Sequence, residues 1–143
     1  MTETLRVLVP ADGSEPARRA VRHVIDLARR GLAIDVHLLN VQPAVRGFAA
    51  SVLSQDDLDA YHRAEGTKAM EGAVALLTAA GLVPHVHIGV GEPGETIMQF
   101  AHTLRCAQII MGTRGLGMMG GLLLGSVARH VVGEGTLPVT LLR

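Results

Sequence analysis

A glycine-rich segment near the carboxyl end of the chain has residue types that suit the binding of a phosphate group. Six of the 17 glycines lie between Gly112 and Gly125, and Ser126 follows them. Glycine permits positive φ and lets backbone N–H groups approach a ligand closely. A helix that begins after such a loop adds unpaired donors and a partial positive charge. The segment therefore predicts a phosphate-binding loop, with a flexible surface loop as the alternative.

Two common phosphate motifs overlap this segment, and neither fits. Residues 115–120 match G-x-G-x-x-G, but that dinucleotide fingerprint belongs after the first strand and needs an acidic residue about 20 positions later. The only later acid is Glu134. Residues 120–126 resemble a P-loop without its lysine, since the only lysine is Lys68, in a predicted helix elsewhere. A Rossmann dehydrogenase and a P-loop NTPase are therefore both disfavoured.

Histidine and cysteine residues offer little further chemistry. His85 and His87 place two imidazoles on one face of a predicted strand. No third ligand is spaced to complete a metal site, so a polar face on an edge strand is the favoured interpretation and no metal site is predicted. The single cysteine, Cys106, excludes an internal disulfide and a Cys-based zinc site. It precedes an apolar run, which predicts a buried structural thiol.

Length and composition restrict the class of protein. A chain of 143 residues with 48% hydrophobic residues suits one core, so a single domain over residues 1–143 is expected. Thirteen basic residues balance thirteen acidic ones, and aromatics make up 2% of the chain, which argues against nucleic-acid binding. The longest uncharged stretch falls short of the roughly 20 residues that a membrane span needs. We expect a cytoplasmic protein without membrane insertion.

Runs of β-branched residues alternate with amphipathic runs along the whole chain. Strands are predicted at residues 5–9, 34–41, 83–90, 107–111 and 138–142, with helices between them. This order predicts parallel pairing, right-handed crossovers and helices on both faces of an open, doubly wound α/β sheet. Residues 43–53 are predicted to form a loop, and the last helix to span about 122–132. In the long helix that runs to about Ala80, Gly66 and Gly72 predict a bend or an interruption.

A third spacing fits the glycine-rich segment fully. Gly112-x2-Gly115-x9-Gly125-Ser126 resembles the ATP-binding pattern of the universal stress protein family, and the resemblance extends along nearly the whole chain. Further landmarks are Val9-Pro10-Ala11-Asp12-Gly13-Ser14 after the first strand, Val41-Gln42-Pro43 after the second, Gly91-Glu92-Pro93 before the third helix, and the terminal strand 138–142. One departure is Ala11, where the family often has a β-branched residue.

The resemblance implies a Rossmann-like fold of the adenine nucleotide alpha hydrolase-like type, with strand order 3-2-1-4-5. ATP with Mg²⁺ would bind at the switch point between strands 1 and 4. Asp12 would contact the adenosine part, the backbone near Val41 would read the adenine edge, and Gly112 would lie beside the ribose. Phosphates would be held by the glycine-rich segment, where Arg114 could neutralise their charge. The predicted cofactor-binding residues are Pro10, Ala11, Asp12, Val41, Met111, Gly112, Thr113, Arg114, Gly115, Gly117, Gly125, Ser126 and Val127.

The function that the resemblance implies is a nucleotide-dependent regulatory module of the stress response, with a regulatory protein partner that the sequence does not identify. A homodimer is expected through the last strand, which consists of Pro138, Val139, Thr140, Leu141 and Leu142. No catalytic residue is assigned, because no base is placed to activate water, although slow ATP hydrolysis or autophosphorylation is compatible with such a site. One alternative is a small ATP or AMP hydrolase or phosphotransferase with Asp12 as acid or base. Another is an interaction module that binds no nucleotide.

Overall fold

The centre of the fold is a sheet of parallel strands. The computed structural model describes residues 3–114 and 124–143. Within these ranges the strands are β1 (Leu5–Pro10), β2 (Ile34–Gln42), β3 (His85–Val90), β4 (Gln108–Gly112) and β5 (Val139–Leu142). Their spatial order is β3-β2-β1-β4-β5, and every neighbouring pair is parallel. The predicted order 3-2-1-4-5 is confirmed.

Helices cover both faces of this sheet. They are α1 (Glu15–Arg29), α2 (Phe48–Val52), α3 (Gln55–Ala79), α4 (Pro93–Thr103) and α5 (Ser126–Glu134). One buried cluster joins the sheet to α1 and α3, through side chains such as Val24 and Leu77. A second cluster joins the other face to α4 and α5, through Ile97 and Val131. The doubly wound arrangement is therefore confirmed.

Local signals in the sequence account for the bounds of α1. Its N-cap is Ser14, whose Oγ accepts a hydrogen bond from the backbone N–H of Ala17 at 3.3 Å. Pro16 lies in the first turn, where its missing N–H has no intrahelical partner to lose. After the helix, Gly31 adopts a φ of +103°, which ends the helical path.

Two predicted boundaries are wrong, and a predicted interruption is absent. Residues 48–52 of the predicted loop form the short helix α2, in which Ser51 Oγ donates to the carbonyl of Phe48 at 2.6 Å. The long helix α3 runs without interruption over 25 residues. The last helix begins at Ser126 rather than at residue 122, since Gly125 is its extended N-cap and Leu124 is not helical, while residues 122–123 lie outside the described ranges.

Helix α3 stays continuous because its two glycines lie in different surroundings. A Cβ added to the buried Gly66 would lie 2.8 Å from Ile88 Cγ1, so this glycine lets α3 approach β3 closely. A Cβ at the exposed Gly72 would have no atom within 4 Å. Gly66 thus allows close packing, whereas Gly72 only lowers the helix propensity of α3.

The buried interior includes the cysteine. Cys106 is 4% exposed, as predicted, and packs in the cluster beneath α4 and α5. Burial raises the pKa of its thiol to about 11, so the reactive thiolate is scarce near neutral pH. No helix within the described ranges has the length and apolar character needed to cross a membrane.

The two glycines of α3 allow a matched test of this packing. Gly72→Ala is expected to raise the free energy of unfolding by about 0.5–1 kcal/mol, because alanine is the better helix former. Gly66→Ala gains the same propensity but crowds Ile88, so it should be less stable than Gly72→Ala by about 1–3 kcal/mol. Urea unfolding of both variants measures the difference. Equal stabilities would contradict the proposed close approach of α3 to β3.

Candidate functional site

A cavity lies at the carboxyl ends of β1 and β4. Its volume is about 310 Å³, at the lower end of the range for small-molecule sites. The described residues that line it are Pro10, Ala11, Asp12, Ala17, Leu39, Asn40, Val41, Pro93, Ile97, Met111, Gly112, Thr113, Arg114, Gly125, Ser126, Val127 and Ala128. They come from β1, β2 and β4 and from the starts of three helices, so the cavity is built where these elements meet.

The cavity opens because β1 and β4 part before their ends. The β1–β4 register stops at Leu8 and Ile109, whereas the β1–β2 register continues to Pro10. Alternate residues of a parallel strand face opposite neighbours. The N–H of Ala11 donates to Leu39 O in β2, so the missing N–H of Pro10 falls on the β4 side. Proline therefore ends the ladder at the point where the cavity begins.

One wall of the cavity is the turn between β1 and α1. Asp12 Oδ1 accepts a hydrogen bond from the backbone N–H of Ser14 at 3.0 Å. Gly13 between them has a φ of +82°, which glycine adopts without strain. Behind the turn, the buried Asn40 donates from Nδ2 to the carbonyl of Ala11 at 2.8 Å. These bonds fix the Asp12 carboxylate relative to β2.

The opposite wall is held by backbone hydrogen bonds around Thr113. Its N–H donates to the carbonyl of Leu142 in β5, and its carbonyl accepts from the N–H of Gly125, both at 2.7 Å. Gly112 packs against α1 so closely that a Cβ there would lie 2.6 Å from Pro16 Cβ. The absence of a side chain at Gly112 thus has a packing reason that needs no ligand.

Donors are concentrated at this second wall. Thr113 is 7% exposed, and its hydroxyl has no hydrogen-bond partner in the part of the chain that the structure describes. Helix α5 begins beside it with Gly125 as N-cap and no side-chain cap, so among the described residues no side chain caps the first N–H groups of α5. A buried unpaired hydroxyl next to an uncapped helix start suits an oxygen-rich, anionic ligand.

The predicted site residues fall into two groups. Those within the described ranges all line this one cavity, from Pro10 to Val127. Gly115 and Gly117 lie outside the described residues. The structure thus brings the described residues of the predicted site together around one cavity. Their contact with a ligand stays a prediction.

Sequence reasoning missed several lining residues. Asn40 is the informative case, because a polar side chain in an otherwise apolar strand is a recognisable signal for a buried hydrogen bond. Ile97 and Pro93 of α4 also line the cavity and are not among the predicted binding residues. Lys68 was placed away from the site, yet α3 brings it to a groove that shares Asp12 with the cavity. Only the packing of α3 across the sheet could show this.

The comparisons with known proteins agree with this architecture. The model of the universal stress protein family matches residues 3–143. The chain therefore belongs to the universal stress protein family. Universal stress protein MJ0531 of Methanocaldococcus jannaschii is 28% identical over 140 residues, which cover 96% of this chain and 81% of that protein.

Solved structures show the same fold. Hypothetical protein MJ0577 superposes with a TM-score of 0.82 at 30% identity, covering 96% of this chain and 94% of that one. A universal stress protein from Archaeoglobus fulgidus, solved in complex with dAMP, superposes with a TM-score of 0.71 at 23% identity over the whole of both chains. The family and the fold predicted from the sequence are both confirmed.

The unpaired hydroxyl of Thr113 gives a stability test of the ligand-free site. Thr113→Val keeps the shape and removes a buried polar group, so the free energy of unfolding should rise by about 1 kcal/mol. Thr113→Ser, which retains the hydroxyl, serves as the control. Urea unfolding of nucleotide-free protein measures both. A loss of more than about 1 kcal/mol in Thr113→Val would show that the hydroxyl is already hydrogen-bonded in the free protein.

Proposed function

We propose that the cavity binds an adenine nucleotide, specifically ATP with Mg²⁺, and that the chain is a nucleotide-dependent regulatory module of the stress response. The observation that carries this proposal is the placement of Thr113. Its buried hydroxyl lacks a partner among the described residues, and the residue lines the cavity between the Asp12 turn and the start of α5. A ligand with hydroxyl and phosphate groups would donate to the Asp12 carboxylate on one wall and accept from N–H groups on the other.

The start of α5 is the proposed phosphate end. Ser126, Val127 and Ala128 are its first residues and all line the cavity. Their N–H groups and the positive end of the helix dipole stabilise an anion. The first turn of α5 contains no acidic residue to compete for these donors, and Arg114 on the same wall adds a positive charge.

The Asp12 turn is the proposed nucleoside end. A carboxylate has about four acceptor positions, so Asp12 can accept from a ribose hydroxyl as well as from Ser14. Beside it, Leu39, Val41 and Ile97 form an apolar surface that suits a flat base. The proposed orientation therefore has the base against β2 and the phosphates against α5.

The donor set also fits Mg²⁺ bound together with phosphates. Magnesium prefers oxygen ligands and is commonly held by one or two carboxylates plus substrate phosphates. Asp12 is the carboxylate among the described lining residues. When bound, the ion would neutralise part of the phosphate charge, and phosphate oxygens and water would supply most of its ligands.

A regulatory role is favoured over fast catalysis. The described lining residues include no histidine or lysine, and Asp12 is their one carboxylate. General-base activation of water would therefore rest on Asp12 alone.

The dAMP complex of the Archaeoglobus fulgidus relative supports adenine nucleotide as the ligand class.

The nucleotide proposal predicts release and rebinding of one nucleotide. Denatured protein should release about one adenine nucleotide per chain, identified by chromatography. After its removal, Asp12→Asn should weaken Mg·ATP binding by about tenfold or more in calorimetric titration, because a charge-assisted hydrogen bond is lost. Asp56→Asn, on the exposed start of α3, is the matched control and should bind as the original chain does.

The same variants separate the alternatives. Turnover of Mg·ATP should stay below about one per second, the low end for enzymes. Turnover above that rate, abolished in Asp12→Asn while binding is kept, would identify a hydrolase or phosphotransferase instead. Failure to bind ATP, ADP or AMP at millimolar concentration would favour an interaction module without nucleotide.

We further propose that the chain forms a homodimer through β5. This strand lies at the edge of the sheet, and its four residues are all partly exposed. An edge of this kind presents backbone groups that can pair with another chain. The carbonyls of Pro138 and Leu142 bond toward β4, so the N–H of Leu141 faces the other way.

A proline in β5 tests this proposal. The chain should have the mass of a dimer by light scattering at micromolar concentration. Leu141→Pro removes the outward N–H and should lower the dimer fraction more than Leu141→Ala, which keeps it. A monomeric mass for the original chain would refute the dimer without affecting the nucleotide proposal.

A further inference from the structure

A cluster of polar side chains lies on β2 and β3, at the opposite end of the strands from the cavity. Asp35 and His37 share one face of β2, and His85 and His87 share the same face of the neighbouring β3. The register pairs His37 with His85, which brings the rings together although they are far apart in sequence. The pairing of β2 with β3 thus brings Asp35 and His37 beside His85, which the spacing of residues along the chain did not indicate.

The donor atoms of this cluster converge. Asp35 Oδ1 lies 2.9 Å from His85 Nε2, and Asp35 Oδ2 lies 3.3 Å from His37 Nε2. One ligand atom from each of these three residues lies within 4.8 Å of the other two. In a tetrahedral zinc site, bond lengths near 2.1 Å place ligand atoms about 3.4 Å apart. A small rotation of His85, whose side chain is 59% exposed, would close the remaining gap.

Neighbouring groups hold two of these ligands in place. His37 Nδ1 lies 2.9 Å from His87 Nε2, so a metal on Nε2 of His37 leaves Nδ1–H to donate to His87. Arg6 Nε donates to Asp35 Oδ2 at 3.0 Å, which leaves Oδ1 facing His85. The rings of His37 and His85 are stacked with centroids 4.5 Å apart.

We infer that Asp35, His37 and His85 form a binding site for a divalent transition-metal ion, typified by Zn²⁺, with water as the remaining ligand. Two imidazoles and one carboxylate suit zinc, cobalt or nickel, whereas Mg²⁺ and Ca²⁺ prefer all-oxygen sites. His87 is a positioning residue that orients His37. The site is independent of the nucleotide cavity, since it shares no residue with the described lining of that cavity.

Calorimetric titration with ZnCl₂ tests the inference on the full chain, free of nucleotide and of any polyhistidine tag. Nucleotide is removed because its phosphates would themselves bind zinc. We expect one Zn²⁺ per chain at micromolar affinity and no binding of Mg²⁺ at the same concentrations. His85→Gln, at an exposed position, should raise the dissociation constant at least about tenfold. His102→Gln, an exposed histidine on α4, is the matched control and should leave zinc binding unchanged.

A second variant distinguishes the loss of a zinc ligand from the loss of the native fold. Asp35→Asn keeps the shape of the side chain and should also weaken zinc at least about tenfold, while circular dichroism confirms that both variants keep the native fold. Absence of zinc binding below millimolar concentration would overturn the inference, as would equal affinity in His85→Gln and the original chain. Either result would assign the contacts of Asp35 to an ion-pair network alone. Nucleotide binding, measured separately, would not be affected.

Discussion

The parting of β1 from β4 is the constraint on which the candidate nucleotide site depends. The two strands pair at Val7 and Leu8 and then separate, while β1 stays bonded to β2 through Pro10. Helix connections leave toward opposite sides from this point, as they do at every switch point of a doubly wound sheet. A proline on the β4 side of the ladder makes the separation abrupt. The cavity therefore arises primarily from the pattern of strand pairing, and the side chains that line it are secondary.

Hydrogen bonds and close contacts of the backbone determine most of the shape of this cavity. Thr113 is tied to β5 and to Gly125 through its own N–H and carbonyl, and Gly112 is pressed against Pro16. Side chains that fix the geometry from behind, such as Asn40, act by bonding a carbonyl. The shape of such a wall depends on the strands and turns that hold it rather than on the rotamers of exposed side chains.

Local patterns predicted the parts of the structure that local physics determines. The alternation of strand and helix patterns predicted the doubly wound sheet. The caps at Ser14 and Ser54 are equally local, since each side chain accepts a backbone N–H three residues later. The continuity of α3 was not predictable, because the reason for Gly66 is Ile88 on another element. Asn40, Lys68 and the Asp35–His37–His85 cluster depend likewise on which strands and helices become neighbours. The spacing of residues along the chain does not indicate such long-range contacts.

The hydrogen bond from Thr113 to Leu142 joins the cavity wall directly to the edge strand of the sheet. Fluctuations of β5 are therefore also fluctuations of the cavity. In a chain that both binds a nucleotide and pairs along β5, ordering one of these elements removes conformational entropy that the other would otherwise have to lose. Ligand binding and subunit pairing would then favour each other without any change in the average structure, and by linkage the effect would be equal in both directions.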